Sequence, residues 1–111
     1  MDRAAKYVLI ESRDPFESRD CSFLSELAVE LVRAGHEVTL FLVQNGVLPA
    51  RAGARAENLA VALRAGVEVL ADEFSLRERG IRLDRLTAGV RPAPLEVVVD
   101  RLEEGRQALW H

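Results

Sequence analysis

The chain has 111 residues, of which 49% are apolar and 30% are charged, an ordinary balance for a soluble globular protein. This excludes intrinsic disorder, and the length is that of one domain, residues 1–111. Lys and Arg number 15 against 18 Asp and Glu, for a net charge of -3. Because nucleic-acid and anionic-membrane binders normally carry a basic excess, we expect neither kind of partner.

The cysteine content points to a reducing compartment. Cys21 is the only cysteine, which excludes an internal disulfide and a zinc site built on cysteine pairs. The first residues lack the apolar run of a signal peptide, and no stretch approaches the roughly 18 apolar residues of a membrane span. We therefore expect a cytoplasmic protein.

The first half of the chain predicts a strand, a helix and a second strand. Residues 7–10 are apolar without alternation, as in a strand covered on both faces. After a polar loop, apolar side chains recur at helical spacing from Phe23 to Val32, and Gly35 ends this helix. Residues 38–43 form the second strand, and residues 44–46 are interpreted as a turn.

The alternation continues in the second half. The predicted elements are a helix with its apolar stripe between residues 56 and 63, a strand over 67–70, a short helix over 74–79, a less regular stretch over 81–90, a helix with its apolar stripe between 95 and 102, and a strand over 107–110. Pro92 and Pro94 are placed at the start of the last helix, because proline is favoured there.

Strands alternating with helices predict an α/β fold, a three-layer sandwich with a mainly parallel, flavodoxin-like sheet of about five strands. Ligands of such sheets gather at the carboxyl ends of the strands. If the strand order is 2-1-3, the first strand lies between the other two. Glu11 and Asp72 then face each other across adjacent strand ends.

Acidic side chains are frequent in the loops at this edge of the sheet. The group consists of Glu11, Asp14, Asp72 and Glu73. Clustered carboxylates suit a hard divalent cation such as Mg²⁺, and an aspartate after the third strand is also found in phosphoacceptor receiver domains. A receiver needs a lysine near its last strand, and Lys6 is the only lysine here. The alternative is that these acids are solvated and neutralised by nearby arginines.

Other cofactor signals are weak. No Gly-x-Gly-x-x-Gly or Walker sequence is present, and the acidic first loop would repel the phosphate of FMN, so we expect no cofactor and assign no metal ligand. Asn45 and Gly46 offer backbone N–H groups to an anion or simply make a turn. His36 and His111 have no nucleophile at a distance that the sequence reveals.

Three segments taken together resemble the DsrE/DsrF-like sulfur-relay family. They are residues 34–47, with Ala-Gly-His-Glu-Val-Thr-Leu-Phe-Leu-Val at their start, residues 66–71, Gly-Val-Glu-Val-Leu-Ala, and residues 76–81, Leu-Arg-Glu-Arg-Gly-Ile. Their order and spacing carry the resemblance, which covers essentially the whole chain. It implies a homo- or hetero-oligomer, often a trimer or hexamer, that carries sulfur as a persulfide on a cysteine and works with other sulfur-relay proteins.

The resemblance also says where that cysteine would stand. It follows the third strand, eight residues before the glycine of an Arg-Gly pair, sometimes with a second cysteine three residues later. In this sequence the pair is Arg79-Gly80, so these positions hold Asp72 and Ser75. An aspartate cannot carry a persulfide, because the chemistry needs a polarisable sulfur.

Cys21 is the remaining candidate for catalysis. Its position near the first turn of the first helix would lower its pKa, whereas the neighbouring acids would raise it. The alternative is a small residue packed at a helix start. We expect a binding or scaffold subunit related to sulfur relay, with ligand-binding residues Glu11, Asn45, Gly46, Asp72 and Ser75. The other hypothesis is an acidic pocket that binds a divalent metal or a phosphorylated ligand.

Overall fold

The computed structural model describes residues 4–14, 16 and 22–111. The strands are β1 Lys6–Glu11, β2 Glu37–Leu42, β3 Glu68–Asp72, β4 Val90–Ala93 and β5 Gln107–Trp110. The α-helices are α1 Ser22–Arg33, α2 Glu57–Ala65, α3 Glu73–Glu78 and α4 Glu96–Glu103, and a 3-10 helix spans Gln44–Ala50. No helix in this part of the chain is long and apolar enough to cross a membrane.

The five strands form one sheet in the order β4-β3-β2-β1-β5, and every neighbouring pair is parallel. The predicted α/β fold with a five-stranded sheet is confirmed. The order 2-1-3 is wrong, since β2 and not β1 lies between the other two. The connections from β1 to β2 and from β2 to β3 run in the same direction across the sheet, and their helices α1 and α2 lie on one face. The connection to β5 crosses back to place that strand beside β1, and its helix α4 lies on the other face, as expected where crossovers keep one hand.

The two faces of the sheet are covered unequally. One face buries the larger core, where side chains from β1, β2 and β3 meet α1, α2, α3 and the 3-10 helix. The opposite face has a smaller core in which α4 alone contributes helix side chains. Phe41 is fully buried there, in the same cluster as Val98 of α4. Much of the apolar surface of α4 is therefore left outside the core.

A polar network fastens α4 to the amino ends of the central strands. The Arg101 guanidinium donates hydrogen bonds to Glu68 and Thr39, and Arg91 donates to Glu68 Oε2 at 2.7 Å. Burial acts to raise the pKa of Glu68, but the hydrogen bonds from Arg101 and Thr39 and the nearby positive charges outweigh it and lower that pKa. The network supplements the small core on this face.

Two local predictions were wrong. Pro92 lies inside β4, an edge strand that tolerates a residue without an N–H group, so only Pro94 precedes the last helix. Residues 44–46 do not make a simple turn but begin the 3-10 helix. The helix end at Gly66 is confirmed, with a φ of 97° that favours glycine.

Candidate functional site

The carboxyl end of β3 carries a closed hydrogen-bonded joint, which we call the β3 corner and define as Asp72, Ser75 and Gln44. The Asp72 carboxylate caps α3, accepting from the Ser75 N–H at 2.9 Å and from the Ser75 hydroxyl at 2.7 Å. Ser75 Oγ accepts in turn from the Gln44 N–H at 2.8 Å. This chain of bonds ties α3 to the start of the 3-10 helix.

A second link closes the β3 corner from outside. Arg79 Nε donates to Asn45 Oδ1 at 3.0 Å, and its terminal nitrogen donates to the Ser75 carbonyl at 3.2 Å. Asp72 is 5% exposed and Ser75 is 3% exposed. Every buried side-chain nitrogen and oxygen of the described residues has a hydrogen-bond partner. The β3 corner therefore needs no ligand to satisfy it.

A different arrangement lies at the carboxyl end of β1, the β1 corner, defined as Glu11, Arg13 and His111. The buried Glu11 carboxylate accepts from the Arg13 N–H at 3.1 Å, and His111 Nδ1 lies 2.9 and 3.0 Å from its two oxygens. The imidazole donates in this contact when Glu11 is ionised. Burial raises the pKa of Glu11, although the Arg13 N–H and His111 act against it.

Gly46 couples the β1 corner to the 3-10 helix. A Cβ at this position would lie 2.1 Å from the Glu11 carbonyl oxygen and 2.9 Å from its carbon. Only glycine permits this approach of two backbones. The Gly46 N–H donates to the Val43 carbonyl at 2.9 Å, so it is already used within the chain. Its role in the observed geometry is close packing.

A cavity of about 250 Å³ opens beside the β1 corner, on the face of the sheet that α1 and α2 cover, and we call it the α2 cavity. Its apolar lining comes from Phe16, Leu42, Pro49, Ala56 and Leu59. Its polar lining consists of Glu11, Arg13, Ser25, Arg55, Glu57 and Asn58. Of the predicted ligand-binding residues, Glu11 and Gly46 line it. Asp72 and Ser75 belong to the β3 corner, and Asn45 accepts from Arg79 beside that corner.

The predicted pairing of Glu11 with Asp72 does not occur. β2 separates the two strands that carry them, so the acids do not stand on adjacent strand ends. Asp14 is buried and accepts from the Phe16 N–H at 2.9 Å, as in a local turn. Across the described part of the chain no three Asp, Glu, His or Cys side chains are grouped as metal ligands would be. The acidic-pocket hypothesis therefore loses the juxtaposition of Glu11 with Asp72 on which it was based.

Cys21, the predicted catalytic residue, lies outside the described residues. The sequence places it directly before Ser22, the first residue of α1. His36 is half-buried at the start of β2, where its Nδ1 accepts from the Ala5 N–H at 2.9 Å and its ring contacts Tyr7 edge to face. His36 thus has a structural role in this arrangement.

Solved structures with the same architecture span nearly the whole chain. The YchN protein from E. coli superposes with a TM-score of 0.87 at 20% identity, covering 96% of this chain and 99% of that one. MTH1491 from Methanobacterium thermoautotrophicum has a TM-score of 0.81 at 18% identity, covering 98% and 100%. This chain has their fold. BT1422 from Bacteroides thetaiotaomicron shares it at a TM-score of 0.74 and 17% identity, covering 96% and 94%.

These likenesses show a shared α/β fold and go no further. At identities of 17% to 20% they show shared architecture, and MTH1491 and BT1422 are themselves described as proteins of unknown function. No protein-family model matches the chain, and no curated protein matches its sequence. What the site does must therefore be argued from its own geometry.

Sequence reasoning missed several residues that the structure brings together. His111 reaches Glu11 because β5 pairs with β1. Ile10 lies opposite Trp110 in this parallel pair, so the residues that follow them, Glu11 and His111, lie side by side. The strand at 107–110 was expected, but its place beside β1 was not. Arg55, Asn58 and Ser25 meet at the α2 cavity only because α1 and α2 pack on the same face. No local pattern marks them.

Proposed function

We propose that this chain is a sulfur-relay-related protein that carries no sulfur at the position the resemblance assigns and acts as a binding or scaffold subunit. The observation that carries the proposal is the Asp72–Ser75–Gln44 chain of hydrogen bonds. Where the family would hold reactive cysteines, this chain holds two buried side chains that join α3 to the 3-10 helix. A reducing compartment, the cytoplasm, suits its single cysteine.

The chemistry of these two side chains supports a structural role. A persulfide carrier must present a thiolate to another sulfur, so it has to be reachable as well as nucleophilic. Asp72 has no sulfur and is 5% exposed, and one of its oxygens accepts two hydrogen bonds from Ser75. Its carboxylate is therefore bound within its own helix start, and its contribution is to stability.

Intact-mass measurement after incubation with a persulfide donor tests this proposal. The parent protein and the Cys21→Ser variant are compared, with a free-cysteine peptide as the positive control for sulfur transfer. We expect the parent to gain no more sulfur than Cys21→Ser, and Cys21 to react with iodoacetamide more slowly than the peptide does. Rapid, saturating sulfur uptake on Cys21 would make the protein a carrier and overturn the scaffold assignment.

The proposal includes assembly as a homo-oligomer, a trimer or hexamer, through the thinly covered α4 face. Leu95, the cap residue of α4, and Val99 and Leu102 within it recur at helical spacing and are 54%, 50% and 44% exposed. β5, the edge strand of the sheet beside β1, is exposed along its whole length, and its Trp110 is 69% exposed. Contiguous apolar surface of this kind marks protein interfaces, and an uncovered edge strand favours further association.

Light scattering coupled to size-exclusion chromatography tests the assembly. We expect the parent to elute as an oligomer at micromolar concentration and Val99→Glu to shift towards the single-chain mass, because a charge would be buried in the interface. Glu103→Gln on the same helix is the control and should leave the mass unchanged. A parent protein of single-chain mass would contradict this part of the proposal.

A further inference from the structure

The α2 cavity has the features of a small-molecule site, and it is separate from the β3 corner. We propose that it binds a small monocarboxylate with a compact apolar body, held by its carboxylate at Arg55 and the start of α2. The site lies beside β1 and β2, whereas the proposed function rests on Asp72 and Ser75 at β3. Either proposal can fail without the other.

The lining holds two acids, Glu11 and Glu57, and two arginines, Arg13 and Arg55, so unused hydrogen-bond donors decide which ligand it favours, and they favour an anion. The Glu11 carboxylate is occupied, since it contacts the Arg13 N–H and His111 Nδ1. The Arg55 guanidinium, by contrast, makes no hydrogen bond or ion pair with any described residue. The Asn58 side chain likewise has no partner among the described residues. These two side chains offer donors at the rim. The exposed Glu57 repels negative charge, so a ligand with about one negative charge is favoured over a ligand with more.

The start of α2 supports the same orientation. Its cap residue, Ala56, has no side chain able to accept from the first turn, and no side-chain cap is formed there. The first-turn N–H groups of this nine-residue helix belong to residues that line the cavity. Backbone N–H groups at a helix start interact favourably with a carboxylate.

The remaining lining selects the body of the ligand. Leu42 of β2, Pro49 of the 3-10 helix and Leu59 of α2 are buried and apolar, and they line the cavity. Burial of an alkyl group against them is favourable by the hydrophobic effect. A volume of about 250 Å³ lies below the roughly 300–1,000 Å³ of pockets for drug-sized ligands, so the ligand is small. A dianion such as inorganic phosphate has no apolar part to contact this lining.

Amide chemical shifts of the ¹⁵N-labelled full chain test the proposal, with isovalerate as the probe. Isovaleramide has the same shape without the charge, and inorganic phosphate has charge without the apolar body. We expect isovalerate to shift the amides of Ser25, Asn58 and Leu59 in a saturable way, and both comparison compounds to bind at least about tenfold more weakly.

Matched variants locate the binding. Arg55→Gln should weaken isovalerate binding about tenfold, while Arg64→Gln, which changes an exposed arginine in the last turn of α2, should leave it unchanged. Both substituted side chains are exposed, so both variants should give the amide spectrum of the folded parent. Equal binding of isovaleramide, equal binding of phosphate, no saturable shifts with isovalerate, or full binding by Arg55→Gln would each overturn the proposal.

Discussion

Two strand ends of this sheet each carry a buried carboxylate, and the two are used differently. Asp72 at β3 bonds to Ser75, three residues away, and makes a closed joint. Glu11 at β1 contacts His111, 100 residues away, and borders the α2 cavity. An acid after a strand can thus be either a helix cap or the border of a site, and its partners decide which.

The largest effect is expected from breaking the packing that supports the β1 corner. Gly46→Ala places a Cβ 2.1 Å from the Glu11 carbonyl oxygen, so the backbone must move, and we expect a loss of about 3 kcal/mol in the free energy of unfolding. Gly53→Ala is the control, since Gly53 has a φ of +87° with no atom within 4 Å. It should lose only about 1 kcal/mol through strain. Urea denaturation at fixed protein concentration measures both, and equal losses would refute the crowding at Gly46.

A smaller effect is expected from opening the β3 corner. Asp72→Ala removes the cap of α3 and leaves the Ser75 hydroxyl without its acceptor, which should lower the free energy of unfolding by about 2 kcal/mol. Asp72→Asn keeps an oxygen that can accept from the Ser75 N–H, so it should lose about 1 kcal/mol or less. The same urea experiment decides. No loss in Asp72→Ala would mean that the joint contributes nothing to stability.

The smallest effect is a difference in pH dependence between two buried acids. The pKa of Glu11 is raised, so its contribution to stability is present below the ordinary glutamate pKa of about 4.3 and is lost as the pH rises through the folded-state value. The pKa of Glu68 is lowered, so its contribution is present above about 4.3 and is lost as the pH falls through the folded-state value.

Glu11→Gln and Glu68→Gln should therefore change with pH in opposite directions. On either side of the ordinary glutamate pKa of about 4.3 the trends should differ: above it the stability of Glu11→Gln relative to the parent should rise with pH, and below it that of Glu68→Gln should fall as the pH rises. Urea midpoints on both sides of this value provide the measurement. Parallel trends in the two variants would show that the burial of Glu11 does not dominate its pKa.

The fold was largely predictable because its signals are local. Apolar runs without alternation mark β1, β2 and β3, and helical spacing with a glycine stop marks α1 and α2. Pro92 misled the prediction because proline suits both a helix start and an edge strand. The strand order was not predictable in the same way, since the connections fix the handedness of each crossover but not the direction in which the sheet grows.

The candidate site was less predictable because most of its contacts join residues that are far apart in the chain. That Asp72 and Ser75 stand three residues apart could have indicated a helix cap, because this spacing satisfies a first-turn N–H group. The Glu11 contact with His111 depends on β5 lying beside β1, and the α2 cavity depends on two helices sharing a face. Neither arrangement leaves a pattern in neighbouring residues.

The most direct test of the central claim, that the β3 corner is a closed joint and not a site of sulfur chemistry, uses a single thiol placed there. The amide spectrum first establishes that the Cys21→Ser/Asp72→Cys double variant is folded. The double variant and Cys21→Ser alone are then incubated with a persulfide donor, and the intact mass of each is measured. Because position 72 is 5% exposed and bonded to Ser75 in the parent, we expect no more sulfur on the double variant than on the single one. A stoichiometric gain of sulfur on the double variant would contradict the account, because it would show that the persulfide donor reaches a thiolate at position 72.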